Sequence, residues 1–205
     1  IERRYHREIP GIHNRLNASC ALKVCEAYGL SGEKTMVCLD RFRFVDRRFS
    51  IRYASDRVVV IDDYAHTPRE IESVLQAVNE RFPRSLTYLV FEAHRYSRLE
   101  REFRDFIAVL SSRQIGKTYI LPIYSAYEEM KPELFEQFVS VLGQNRPDAM
   151  FINDIAQIVP SIPTVPEYPV VCLFVGAGNS SRQSKALASL LERLDPKKVT
   201  SSNPL

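Results

Sequence analysis

The chain has 205 residues, of which 45% are hydrophobic and 26% charged, with a formal net charge of +3. This is an ordinary globular composition, long enough to bury a core as one domain or one domain with part of another. The charge is too balanced to argue for nucleic acid, and the longest clean apolar run, Val170 to Val175, is far short of the roughly 20 residues that span a bilayer.

In chain order, the basic run Arg3, Arg4 and Arg7 reads as a solvated tip. Asn14 to Tyr28 reads as a helix with Asn17, Ala21, Val24 and Tyr28 on one face, closed by Gly29. Gly29 to Asp40 reads as a connector, and Phe42 to Tyr53 as a pair of short strands. Val58 to Ile61 is a β-branched run suited to a buried parallel strand, followed by a loop over Asp62–Pro68. Thr67 caps and Pro68 opens a helix whose apolar face is Ile71, Val74, Leu75 and Val78.

The unit then repeats. Leu86 to Phe91 is a strand, Glu92 to Arg98 its loop, and Leu99, Phe103, Phe106, Ile107 and Leu110 mark one helix face. Thr118 to Ile123 is a third strand and Leu134, Phe135, Phe138 and Val141 a third helix. Met150 to Ile152 is a short strand, with a short helix near Ile155 to Val159. Pro160, Pro163, Pro166 and Pro169 stiffen the connector to a last strand, Val170 to Val175. Gly176-Ala177-Gly178 ends that strand, and Leu187, Leu190, Leu191 and Leu194 mark the final helix.

Alternating strands and helices predict an α/β fold: a three-layer, Rossmann-like domain from about Arg52 to Leu194, with a mostly parallel sheet of five or six strands. Residues 1–40 read as the tail of a preceding domain and a hinge, 41–195 as the α/β domain, and 196–205 as a disordered polar tail. The first residue is Ile1, and the expectation is a chain that begins inside a longer protein.

Ligands of such sheets bind at the carboxyl ends of the strands. The loops there, at Asp62–Pro68, Glu92–Arg98 and Gly176–Arg182, are also the most polar in the chain. Asp63 at a strand end can accept ribose hydroxyls, and Tyr64 and His66 alternate toward one ligand; a capped helix start with a structural histidine is the other use of the same residues. Arg95 and Arg98 flank an aromatic where an anion would sit, with a solvated charged loop as the other use of the same residues. Backbone amides over Gly176 to Ser181 can form an anion nest, or simply a tight strand-to-helix turn. Upstream, Asn14 and Asn17 lie on one helical face and suit an adenine edge, although Asn14 also suits a helix cap.

No G-x-x-x-x-G-K-S/T loop and no metal-ligand cluster stands out. The four cysteines, Cys20, Cys25, Cys38 and Cys172, lack C-x-x-C spacing. Cys20 and Cys25 lie among apolar residues and read as buried free thiols, so the expectation is a reducing, cytoplasmic setting without disulfides.

Taken in order, these motifs resemble the Mur ligase family over roughly residues 8 to 194. Gly11–Asn17 is similar to the G-x-H-N-x-x-N segment that ends the family's central ATPase domain. Phe42–Phe49 is similar to F-x-G-V-x-R-R-F, with Phe44 at the glycine. Asp63–Pro68 matches D-Y-A/G-H-x-P. His94–Arg98 reads H-R-Y-S-R, characteristic of the alanine-adding members, preceded by Glu92-Ala93 where Gln-Pro is usual. Ile123–Glu128 resembles I-Y-x-A-x-E, and Gly176–Asn179 resembles G-A-G-D with Asn179 at the aspartate. The D-N-P-R motif of the diaminopimelate- and lysine-adding members is absent.

The resemblance implies an ATP- and Mg2+-dependent amide ligase with UDP-N-acetylmuramate and L-alanine as substrates of the full enzyme, and neither nucleic acid nor membrane as partner. It implies that His13, Asn14, Asn17, Arg48 and Asp63 meet ATP, and that Tyr64, His66, Arg95 and Arg98 face the alanine and sugar-nucleotide side of the cleft. It also implies that the metal ligands and phosphate-binding lysine loop belong to the central domain, outside this chain, which is then inactive alone. A stand-alone nucleotide- or precursor-binding module with the same fold, or another amide ligase of this type, is the alternative.

Overall fold

The computed structural model describes residues 11–42, 45–164 and 167–194. Arg3, Arg4 and Arg7, Phe44, Pro166, the tail 196–205 and the side chain of His13 lie outside them.

Two helices come first. α1 (Ile12–Ala27) ends where Gly29 turns left-handed, at φ 78°. The segment predicted as a connector is instead a second helix, α2 (Gly32–Arg41). Ser31 caps it by accepting from the Lys34 amide, and Glu33 lies in its first turn. A serine cap with an early acid is a sound start signal that outweighs one glycine in the first turn. The predicted buried thiols are also corrected. Cys20 is exposed and Cys25 half-buried, and among the described residues all four cysteines are free.

The sheet has six strands in the order β1-β2-β6-β3-β4-β5. β1 (Ser50–Ala54) and β2 (Val58–Asp63) form an antiparallel hairpin. One strand therefore replaces the expected pair over Phe42–Tyr53, and its partner is the next strand in the chain. The register slips between Ile51 and Tyr53, a bulge at Arg52. β3 (Leu86–His94), β4 (Ile115–Tyr124), β5 (Met150–Phe151) and β6 (Val170–Val175) continue the sheet in parallel.

β2 and β6 are buried along their whole length, which is why they read as unbroken apolar runs rather than alternating ones. Successive residues still serve opposite faces. Val59, Ile61, Leu89, Phe91, Val171 and Leu173 pack with Ile71, Phe106 and Phe138. Val58, Val60, Val90, Cys172 and Phe174 pack with Ile158, Leu187 and Leu191. One layer is thus built from α3 (Pro68–Arg81), α5 (Phe103–Leu110) and α6 (Pro132–Asn145); the other holds α7 (Ser180–Leu194) and a 3-10 helix at Ile155–Ser161. This is the predicted three-layer, mostly parallel architecture.

The predicted start of α3 holds in detail. The Thr67 hydroxyl accepts from the Glu70 amide, Glu70 accepts from the Thr67 amide, and Pro68 opens the first turn. The following segment does not match its predicted loop, because β3 continues through Glu92 and Ala93 to His94. A short helix α4 (Tyr96–Arg101) then precedes α5, the two separated at Glu102. No described helix is long and apolar enough to cross a membrane.

Beyond β4, Ala126 and Tyr127 are both left-handed, at φ 51° and 70°, and Tyr127 is fully exposed. An L-residue there costs roughly 1–2 kcal/mol, and glycine avoids most of it at some entropic cost. Tyr127→Gly is therefore expected to stabilise the chain by roughly 0.5–1 kcal/mol, read as a higher urea midpoint at unchanged slope. An unchanged or lower midpoint would show that this backbone carries no strain.

Candidate functional site

The parallel strands deliver four segments to one sheet edge: Asp62–His66 from the end of β2, Glu92–Arg95 from β3, Tyr124 from β4 and Gly176–Asn179 after β6. The chain reverses direction across the sheet here, since β6 lies between β2 and β3 while α3 and α7 lie on opposite faces. Such a switch point is where open α/β sheets hold ligands.

A continuous run of rings crosses this edge. Tyr64 meets His66 edge-on with centroids 5.2 Å apart, His66 lies 5.8 Å from His94, and His94 stacks on Tyr124 at 5.5 Å. Arg47 and Arg48 lie over the Tyr64 ring at 4.8 and 5.6 Å. Arg98 donates from Nη1 to His94 Nδ1 (3.1 Å) and to the His94 carbonyl (3.2 Å). Arg95 is exposed and begins α4 from a left-handed backbone, φ 74°, with its amide on the Tyr124 carbonyl at 2.8 Å. A non-glycine residue in that conformation is a strained one of the kind that gathers at functional edges.

The hydrogen bonds give the two Nδ1 atoms opposite roles. His66 Nδ1 lies 2.9 Å from the Tyr64 carbonyl, so Nδ1 carries a proton. His94 Nδ1 accepts from Arg98, so its proton is on Nε2. Burial lowers the His94 pKa, reinforced by Arg98, His66 and Arg95. The ring is accordingly expected to remain neutral at pH 7, with an NMR titration midpoint below the ordinary value of about 6.5. Because its folded pKa is depressed, its stabilising contribution is present above about 6.5 and is lost as pH falls toward the folded midpoint. A midpoint at or above 6.5 would remove the desolvated setting assigned to it.

The two aspartates at the end of β2 serve the scaffold in different ways. Asp63 is buried, with one oxygen accepting from the Phe49 amide and the other from the Ala65 amide, each at 2.8 Å. Asp62 is fully buried; its Oδ2 accepts from Arg52 Nη2 (2.6 Å) and from the Ser181 hydroxyl (2.7 Å), while its Oδ1 faces Arg47 Nε at 3.8 Å without a hydrogen bond. Both aspartates therefore belong to strand and scaffold rather than to the free loop predicted from Asp62 onward.

Of the two readings of Gly176 to Ser181, the structure shows the strand-to-helix turn, with amides turned inward rather than toward an external anion. Amides of Asn179 and Ser180 at the start of α7 are occupied by the protein's own carboxylate: Glu92 Oε1 accepts from Asn179 (2.9 Å) and Oε2 from Ser180 (3.0 Å). Gly178 is required there, because a Cβ would lie 2.5 Å from the Tyr124 ring and 2.7 Å from Glu92 Oε2.

Tyr64, His66, Arg48 and Arg98 are thus brought together, with Arg95 at the rim. Asn14 and Asn17 are not with them. Asn14 is buried and Asn17 exposed on α1, whose start is fixed to the other end of α3: Glu80 accepts from the Gly11 amide (3.1 Å) and from Arg15 (3.0 Å). The 13 residues from Thr67 to Glu80 put roughly 20 Å of helix between the two groups. Sequence reasoning left Arg47, His94, Glu92 and Tyr124 out of the site; for His94 its place in H-R-Y-S-R was the available signal. Among the described residues no group of three or more histidine, cysteine, aspartate or glutamate side chains is arranged to hold a metal ion. A groove of about 820 Å³ between α3 and α5 has Glu72, Glu102 and Asp105 in its wall against Arg69, a charge pattern that disfavours anionic ligands.

Comparison with known proteins agrees with this architecture. The chain is 36% identical over 188 residues to a UDP-N-acetylmuramate–L-alanine ligase of Thermotoga neapolitana, covering 90% of this chain and 40% of that protein. It is 33% identical over 179 residues to the enzyme of the same name from Aquifex aeolicus, covering 87% and 38%. The crystal structure of the UDP-N-acetylmuramate–alanine ligase of Thermotoga maritima superposes with a TM-score of 0.70 at 28% identity, over 93% of this chain and 39% of that one. A folylpolyglutamate synthase of Mycobacterium tuberculosis shares the fold, with a TM-score of 0.66 at 14% identity. The chain spans about 40% of the length of the curated relatives it matches. Residues 47–178 match the family described as Mur ligase, glutamate ligase domain, and the chain belongs to that family.

Proposed function

We propose that this chain is the C-terminal part of an ATP-dependent amide ligase that adds L-alanine to UDP-N-acetylmuramate in cytoplasmic peptidoglycan precursor synthesis. The observation that carries the reading is the junction of Arg98 and His94 with His66 and Tyr64 at the strand ends. An amino acid offers a carboxylate that needs a fixed cation and an amine that must reach its acceptor without its extra proton. Arg98, with Arg95 at the rim, supplies the cation, and the neutral His94 imidazole and the His66 ring stand beside it. This is catalysis by orientation and by placed charge. The names of the relatives at 30–36% identity over most of the chain support alanine and UDP-N-acetylmuramate as the substrate pair.

ATP, bound with Mg2+, supplies the phosphoryl group that activates the acceptor carboxylate. On this chain Arg48 fits an anion, being exposed and held over Tyr64. Both oxygens of Asp63 accept backbone amides, so its contribution to a nucleotide is to hold the Arg47–Phe49 turn where Arg48 can reach it. His13, Asn14 and Asn17 would meet the adenine only with α1 in a different place relative to the strand ends. That need supports assigning residues 1–40 to a preceding domain and 41–195 to this one. The chain has no phosphate-binding lysine loop, and the metal ligands are assigned to the preceding domain with it.

The test is phosphate release by the complete protein. Turnover requiring both UDP-N-acetylmuramate and L-alanine, with none from residues 1–205 alone, is expected. Turnover with an already extended precursor, or with another amino acid in preference, would replace this reading with another ligase of the family; nucleotide binding without turnover would leave a binding module.

A further inference from the structure

Glu92 stands two residues before His94 on β3 and is buried, with 3% of its surface exposed. Its carboxylate joins the end of β3 to the start of α7 through the Asn179 and Ser180 amides. A carboxylate matches such a pair of donors, since both oxygens accept and neither brings a hydrogen to face an N–H. The helix terminus favours the negative charge.

The turn it holds is in contact with both sides of the cleft. Gly178 lies against the Tyr124 ring, which stacks on His94. Gly176 lies so close to β3 that a Cβ would be 2.9 Å from both the Cβ and the carbonyl oxygen of Glu92. On the other side, Arg47 Nη2 donates to the Gly176 carbonyl and to the Ser180 hydroxyl (3.1 Å), and the same guanidinium covers Tyr64. One turn therefore holds Tyr124 and His94 in one direction and Arg47 and Tyr64 in the other, and Glu92 fastens it.

We propose that Glu92 is a positioning residue whose ionised carboxylate latches the β6–α7 turn to β3, and that taking up a proton releases the latch and loosens the His94–Tyr124 stack. A protonated carboxyl loses the charge that strengthens both bonds and has a donor hydrogen on one oxygen, so it holds the two amides more weakly. The charged group facing Glu92 is Arg47, from the loop before β1; α7 presents amides and the Ser180 hydroxyl, β4 presents the Tyr124 ring, and β6 presents Gly176. Asp62 on β2 reaches α7 through Ser181 but is paired with Arg52. Desolvation outweighs the amides and Arg47, so the Glu92 pKa is raised. The enclosed Glu92 carboxyl accordingly takes up its proton at a pH where ordinary surface glutamates are still ionised, and the loosening that follows is local, with the carboxyl still buried.

The inference concerns this chain's own geometry and is tested without ligase activity, so its failure and that of the proposed function are separable. The experiment is an NMR pH titration of residues 1–205, following the Glu92 carboxyl carbon, the Asn179 and Ser180 amides and the ring signals of His94. All four are expected to share one transition with a midpoint above the ordinary glutamate value of about 4.3. In Glu92→Gln that transition should vanish from the amides and from His94, while His94 keeps its own separate titration. A Glu92 midpoint at or below the ordinary value, amides or a His94 ring that ignore it, or the same transition persisting in Glu92→Gln, would each overturn the proposal. If Glu92→Gln does not fold, the wild-type titration alone decides, because the four signals either share the midpoint or do not.

Discussion

Replacing Arg98 by alanine in the complete protein is expected to raise the KM for alanine tenfold or more while leaving the KM for ATP nearly unchanged. The loss of one charge-assisted contact is worth about 1.5–3 kcal/mol, a factor of roughly ten to more than a hundred. The structure sharpens the expectation, because Arg98 has two tasks. It presents a cation at the strand ends, and it fixes the His94 tautomer through Nη1. Arg98→Lys restores a charge but not a planar guanidinium that can meet a carboxylate in a bidentate way while its Nη1 stays on the ring nitrogen and carbonyl of His94, so it should recover only part of the effect. His94→Ala separates the tasks: if Arg98 acts only by orienting His94, the two alanine variants will match, and if it also holds the substrate carboxylate, Arg98→Ala will be the worse. Unchanged alanine kinetics in Arg98→Ala and Arg95→Ala, with the fold intact, would make both residues solvated surface and withdraw the alanine-binding role.

The second large effect falls on stability. Asp62→Ala is expected to destabilise the chain by about 3–5 kcal/mol, the range for breaking a buried ion pair on one side. Asp62 is fully buried, and its loss leaves the Arg52 guanidinium, only 16% exposed, with Asp46 as its remaining acid partner. Arg47 loses the same carboxylate, and Ser181 loses its acceptor. For a chain of this size each kcal/mol moves Tm by about 2–4 °C, so a fall on the order of 10 °C is expected. Asp62→Asn should fall short of that, since its carbonyl oxygen can still accept from Arg52. A shift within 2 °C for Asp62→Ala would show that water replaces the carboxylate freely and that the end of β2 is not the closed network described.

Much of this architecture is legible in the sequence because the informative signals are local. The run Val58–Ile61 and the pair Thr67-Pro68 each state their structure within a few residues, and the strand-and-helix alternation then fixes the fold class. What was misread depends on partners distant in the chain. Glu92 looks like the first residue of a loop until the amides of residues 179 and 180 are seen to satisfy it inside the sheet edge. The pair of short strands expected over Phe42–Tyr53 departs from the structure for a local reason: Ser50–Ala54 pairs with β2, the next strand in the chain. In the site, Tyr64, His66 and Arg98 stand out by residue type and position. Arg47 does not, since its importance lies in bonds to Gly176 and Ser180, more than a hundred residues later. The helix Gly32–Arg41, expected as part of a connector, differs again, because its Ser31 cap is a local signal.

The position of β6 at the centre of the sheet also governs how the molecule is assembled. Its first residue, Val170, pairs with Val58 and Leu86, separations of 112 and 84 residues (170 − 58 and 170 − 86). β2 and β3 are not neighbours in the sheet and have no lateral contact until that strand is inserted between them. High contact order of this kind slows folding. During synthesis the ribosome releases the middle strand after all five others, so the nascent chain carries two unpaired inner edges rich in valine and leucine until residues 170–175 emerge. A chain truncated just before Val170 keeps every other strand yet lacks the one that joins them, and it is expected to aggregate rather than to fold as a smaller domain.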